Sequence, residues 1–176
     1  ESPRRAADRR AAARKARRTV RFASSPLVST PDRVQIIRSM REIIFDTETT
    51  GVAAGRDAIV SATLVLRDPQ RGHEGDAEAE WVINPHRRMN PKASAVNGFT
   101  DEYLAEHGME PTDAIDQIAR AIAAAQEKNI PLLAYNAPFD VHMLEGDLNR
   151  WKLPHVSERT NQAPAASSLL VVDPLV

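Results

Sequence analysis

The chain has 176 residues, 42% of them hydrophobic and 5% aromatic, with no cysteine and a formal net charge of −1. That is about one domain of sequence, its core resting on Ile, Leu, Val and Ala, with disulfides and thiolate metal sites excluded. No apolar run approaches the ~20 residues that span a bilayer and no secretory pattern opens the chain, so a cytoplasmic protein with no membrane partner is expected.

The small net charge hides an asymmetry. Residues 1–21 carry nine Arg or Lys against Glu1 and Asp8, whereas the rest carries 14 basic against 22 acidic residues. Residues 1–39 read as a basic arm and linker apart from the domain. The first twenty are rich in Arg and Ala and have no apolar stripe to bury, and residues 23–31 are rich in Ser and Pro. Three readings stand for the arm: a solvated disordered tail, a phosphate-holding arm, or sequence ahead of a true start at Met40.

From Met40 the pattern becomes regular. A first strand is expected over 41–47 and a loop over 51–57. A second strand, rich in β-branched residues, follows over 59–66. After turn formers at 68–75, residues 78–83 alternate as a third strand, which makes a β-meander. Thr100 is expected to cap a helix, with Asp101 and Glu102 in its first turn. Thr112 is expected to cap a longer helix over 113–127, where Ile115, Ile118, Ala119, Ile122 and Ala125 share one face. A short buried strand is expected at 132–135. Asp140 then opens a helix striped by Leu144, Leu148 and Trp151, residues 154–167 are loop, and 169–173 form another strand.

The most informative stretch is Phe45-Asp46-Thr47-Glu48-Thr49-Thr50-Gly51. Asp46 and Glu48 are two apart on a strand, so both point to one face. Like charges held that close repel unless a shared proton or a cation neutralises them, and Mg²⁺ prefers carboxylate oxygens. Asp140 would join them from a helix start, because strand ends and helix starts gather at one edge of an open α/β sheet.

Together with Val96-Asn97-Gly98-Phe99-Thr100 and Tyr135-Asn136-Ala137-Pro138-Phe139-Asp140, this stretch resembles the DEDD-family 3′-5′ exonucleases, most closely the proofreading (epsilon) type. The matches run in order from about residue 41 to 145. The resemblance implies an α/β, RNase H-like exonuclease fold, of which residues 40–176 would supply the first two thirds. It implies Asp46, Glu48 and Asp140 as catalytic metal ligands for two Mg²⁺ or Mn²⁺ ions, in hydrolysis at a nucleic-acid 3′ end, with single-stranded DNA favoured. It also implies Thr47, Thr49, Thr50, Gly51, Phe99 and Asn136 as substrate contacts, and a DNA polymerase as a partner. Turn chemistry would equally explain the threonines and the glycine, and core packing would explain Phe99. Asn97 stands where the family has histidine, and Phe139 is expected to pack under Asp140.

One departure matters. The family's late H-x-A-x-x-D motif, which supplies the general base and a fourth carboxylate, is missing from this chain. Of His73, His86, His107, His142 and His155, only His142 has an Asp five residues on, Asp147. Asp140 and Asp147 lie about 10 Å apart along one helix, too far to share a site, so His142 is expected on the helix surface. The late motif is expected beyond Val176. The rival expectation is a catalytically inactive nucleic-acid-binding or polymerase-associated module of the same fold.

Overall fold

The computed structural model describes residues 41–161 and 169–175; the arm and linker expected over 1–39 lie outside the described residues. Strands β1 (Glu42–Thr49), β2 (Ile59–Arg67) and β3 (Ala77–Val82) form an antiparallel meander. Strands β4 (Leu132–Leu133) and β5 (Val171–Val172) run parallel to β1, which gives the order β3-β2-β1-β4-β5. Helices α1 (Pro91–Asn97), α2 (Asp101–His107) and α3 (Pro111–Glu127) fall between β3 and β4, and α4 (Ala137–Arg150) follows β4. The expected meander followed by alternating helix and strand is therefore present, with β1 at its centre.

The alternation of β1 explains why it is central. Ile43 and Phe45 join Ala62, Leu64, α3 and α4 in the main core. Ile44, between them in sequence, points the other way, against Val65 and Leu133. A strand apolar on both faces is stable only with cover on both sides. Helix α3 supplies much of the main core through Ile115, Ile118, Ala119 and Ile122, none with measurable exposure. It starts at Pro111 with Glu110 as cap, earlier than the expected Thr112. Proline suits the first helical position because its missing N–H would have had no partner there.

Two further helix starts differ from expectation. The sequence pattern predicts no helix over 91–97, yet α1 forms there. The Asn90 side chain accepts from Lys92 N, Pro91 follows, and Gly98 closes the helix at φ 75°. Seven residues are too few for an apolar stripe, so only these end signals mark it. Helix α4 begins at Ala137, so Asp140 lies in its first turn rather than at its cap. The Asp173 carboxylate does the capping from across the sheet, accepting from Asn136 N at 3.1 Å and Ala137 N at 2.9 Å. That bond spans 36 and 37 residues and is invisible to local pattern.

At its other end α4 clamps the β1–β2 connection. Asp147, 1% exposed, accepts from Ile59 N at 2.8 Å and pairs with Arg150. Arg150 in turn donates to the carbonyls of Gly55 (3.1 Å) and Asp57 (2.8 Å). The approach is so close that a Cβ on Gly146 would stand 2.7 Å from Gly55 N. Burial and the nearby Arg87 charge lower the Arg150 pKa, and Asp57 opposes them. Farther along, Arg159 bonds Asp116 at 2.7 Å and ties the 3-10 turn Val156–Arg159 to α3. Burial works to raise the Asp116 carboxyl, but Arg159 and Arg120 outweigh it and hold it below its ordinary value.

Asp147→Ala is expected to destabilise the chain by about 3 kcal/mol or more, because it strands a buried N–H and a part-buried guanidinium together. Urea denaturation measures this, and an unchanged midpoint would show that the clamp contributes nothing.

Candidate active site

Asp46 and Glu48 lie on the same face of β1, opposite Thr63 and Ser61 of β2. Asp46 is exposed and Glu48 half-buried. The register shifts between Glu48 and Thr49, so the regular ladder ends at the second acid. Such a bulge bends a strand and re-aims its side chains. Val60, the residue of β2 skipped at that shift, sends its side chain into a separate cluster with Met89, Phe99 and Leu104.

Asp140 reaches β1 from the first turn of α4. It is 4% exposed, and its Oδ1 accepts from the Thr47 hydroxyl at 2.6 Å. Burial pushes its carboxyl up to about 7; the Thr47 bonds pull it down, and the negative charge of Asp46 pushes it further up. Asp46, Thr47 and Asp140 are therefore brought together. Among the described residues, no three His, Cys, Asp or Glu side chains are grouped closely enough to hold one metal ion. The acids present still suit a hard cation, since Mg²⁺ is commonly held by one or two carboxylates and completes its shell with water and phosphate oxygens.

The remaining expected residues fall into two sets. Thr49, Thr50 and Gly51 are buried turn builders. Thr49 Oγ1 donates to Gly51 O at 2.6 Å, and Thr50 Oγ1 accepts from Ala58 N at 3.0 Å. A Cβ on Gly51 would meet the Asp57 carboxylate at 2.6 Å, which is why glycine is needed there. Asn97 Nδ2 donates to Thr49 O at 3.1 Å and its Oδ1 accepts from Phe99 N at 3.1 Å, so it ties α1 to this turn. Phe99 is 4% exposed and packs 5.9 Å from the Tyr103 ring; packing is the role its surroundings show. Phe139 packs against the main core beside Asp140.

Asn136 is different. It is exposed, sits at φ 59°, and its side chain does not cap α4. A non-glycine residue in this left-handed region is uncommon, and asparagine tolerates it best. The result is a polar side chain presented at the start of the helix that carries Asp140. His142 is exposed on α4, as the helical spacing predicts. His86 bonds Glu110 and His155 bonds Glu145.

Comparison with known proteins bears on the family and the fold. The family model described as Exonuclease (RNase T) matches residues 43–168. A DNA polymerase III epsilon subunit of Rickettsia prowazekii (strain Madrid E) is 32% identical over 139 residues, covering 70% of this chain and 52% of the relative. A PolC-type DNA polymerase III of Streptococcus suis (strain 98HAH33) is 27% identical over 118 residues, covering 66% of this chain and 7% of the relative. The chain thus spans about half the length, or less, of these relatives. Among solved structures, product-bound exonuclease I superposes with TM-score 0.61 at 15% identity, over 77% of this chain and 30% of that one. E. coli exonuclease I in complex with a dT13 oligonucleotide gives TM-score 0.56 at 16% identity, over 69% and 27%. At such identities the likeness is one of fold. No helix among the described residues is long and apolar enough to cross a membrane.

The raised Asp140 carboxyl carries a sign. Its folded pKa lies above that of the unfolded chain, so the folded state binds the extra proton between pH ~4 and ~7 and loses stability as pH rises through that window. In EDTA, Asp140→Asn, which mimics the protonated acid, is expected to melt higher than wild type at pH 8. The gap should shrink toward pH 4. An equal gap at both ends, read by thermal melts, would refute the assignment.

Proposed function

We propose a reaction for this site from one premise: the chain belongs to the exonuclease family. The reaction is hydrolysis of nucleotides from nucleic-acid 3′ ends, on single-stranded DNA first, in the manner of a proofreading nuclease assisting a DNA polymerase. The observation that carries it is the buried Asp140 carboxylate, bonded to Thr47, the residue after Asp46 in β1, and made reluctant to ionise by burial and by Asp46. An acid in that state is poised to accept a cation.

Asp46 and Asp140 would hold Mg²⁺ or Mn²⁺, with Glu48 on the Asp46 face; two such ions are the family expectation. Bound metal supplies positive charge that acidifies water and offsets charge building on the phosphate. The protein's own groups do the positioning. Thr47 fixes the orientation of the Asp140 carboxylate through its hydroxyl. The Thr49–Gly51 turn, held from behind by Asn97 and Asp57, gives a rigid floor for the terminal nucleotide. Asn136 offers a hydrogen bond beside it. Tyr135, 64% exposed next to Asn136, offers a ring on which a base can stack. The general base that the family takes from its late motif has no counterpart assigned within these residues.

Digestion of 5′-labelled single-stranded DNA and RNA with Mg²⁺ tests the reading. Wild type should give a shortening ladder, faster on DNA. Asp46→Ala should slow it by more than the about 10–100-fold typical of residues that only support a metal ligand. Folded wild type that yields no ladder would sink the hydrolytic reading in favour of a nucleic-acid-binding module of the same fold.

A further inference from the structure

The domain is acidic, yet its surface beside the site is not. Residues 41–176 hold 12 Arg or Lys against 21 Asp or Glu. The two stretches that border the Thr49–Gly51 turn, 51–58 and 84–92, hold Arg56, Arg87, Arg88 and Lys92 against the single acid Asp57. All four bases are exposed. Hydrogen bonds fix the 84–92 loop against the turn and join Arg87 to Arg56. Asn90 N donates to Thr50 O at 3.0 Å, and Lys92 N to Asn90 Oδ1 at 2.9 Å. The Arg87 guanidinium donates to the carbonyl of Arg56.

The nearby acids do not neutralise them. Asp57 accepts from Ala53 N at 2.8 Å and from the Thr50 hydroxyl, Asp101 accepts from Met89 N at 2.8 Å, and Asp147 is taken by Ile59 N and Arg150. Each of these carboxylates serves the fold's own donors. Elsewhere arginine is paired: Arg41, Arg67, Arg120, Arg150 and Arg159 each meet a carboxylate. Among the described residues the four bases beside the site have no such pair. Arg71, Lys128 and Lys152 share that condition but are scattered over a loop and two helix ends. Arg87 also bears on the neighbouring Arg150, whose pKa is lowered by burial first and by Arg87 second, with Asp57 opposing. Repulsion of that kind is relieved by an anion.

We infer that Arg56, Arg87, Arg88 and Lys92 form a cationic strip that holds the phosphodiester backbone of a single strand upstream of the 3′ end lying at Asp46 and Asp140. The inference rests on the reading of the site given above. An acidic carboxylate pair needs a cation and repels a polyanion; the strip supplies the attraction that the site itself lacks. It also gives the substrate a direction, with the strand entering over the 84–92 loop and ending at β1.

The test measures binding of a 5′-fluorescein oligothymidylate by anisotropy across a salt series in EDTA, where digestion is suppressed. Wild type is compared with Arg56→Ala/Arg87→Ala/Arg88→Ala/Lys92→Ala and with the control Arg71→Ala/Lys128→Ala, all checked for folding by thermal melts. The full chain is used, so the basic N-terminal arm contributes alike to every variant. The slope of log affinity on log salt should fall by about 2–3 in the quadruple variant, at ~0.7 per phosphate contact on a single strand, and stay within about 0.5 of wild type in the control. An unchanged slope, or a control that loses as much per charge, overturns the strip. Digestion with Mg²⁺ separates the two readings. A wild type that binds with the full slope but cuts nothing keeps the strip and sinks the hydrolysis. A wild type that cuts but whose slope survives the quadruple substitution keeps the hydrolysis and sinks the strip.

Discussion

The structure turns on the burial of one carboxylate. Asp140 is placed against the end of β1, where hydrogen bonds from Thr47 favour its ionised form while burial and the charge of Asp46 oppose it. A carboxylate there is costly for the fold unless proton or cation accompanies it. It persists because α4 is fixed at both ends. Asp173 holds the first backbone N–H groups, Asp147 and Arg150 hold the β1–β2 connection, and Met143, Leu144 and Leu148 bury the face between. Released from any of these, α4 could move Asp140 toward water. Rigid support turns an unfavourable position into a usable one.

Acids in this chain thus divide by what they face. Asp57, Asp101, Asp147 and Asp173 face backbone N–H groups, and the turn around Thr49–Gly51 owes its shape largely to the first of them. Such carboxylates are satisfied without a ligand. Asp140 also accepts such bonds, but burial and the charge of Asp46 outweigh them. Burial alone does not mark this difference, since Asp147 is more buried than Asp140.

Much of this was legible in the sequence, for a physical reason. Asp46 and Glu48 stand out because period-2 geometry forces i and i+2 onto one face of an apolar strand. The α3 stripe stands out because seventeen residues give period 3.6 room to repeat. Helix α1 was not legible as a helix, being too short for any period, although Asn90, Pro91 and Gly98 spelled out its ends. Asp140 resembles an N-cap, which puts the start of α4 too late, while the carboxylate that caps it, Asp173, arrives from a strand across the sheet. In the sequence Asp147 is marked only by its spacing from His142. Spacing along a helix says nothing about which loop will pack against it, and that contact is what gives Asp147 its work.

The charge pattern closes the problem from the substrate's side. A site built to concentrate negative charge for a cation has, by the same field, a barrier to a polyanionic chain. Screening relieves the barrier only beyond about 10 Å at moderate salt, farther than the approach that chemistry needs. Net charge cannot resolve this, because the domain is acidic overall. Local arrangement can: the acids near the entrance are spent on backbone donors, and the bases there, Arg56, Arg87, Arg88 and Lys92, keep their charge for solvent. The turn proposed as a floor for the terminal nucleotide and the strip that would carry the preceding phosphates are held by the same bonds.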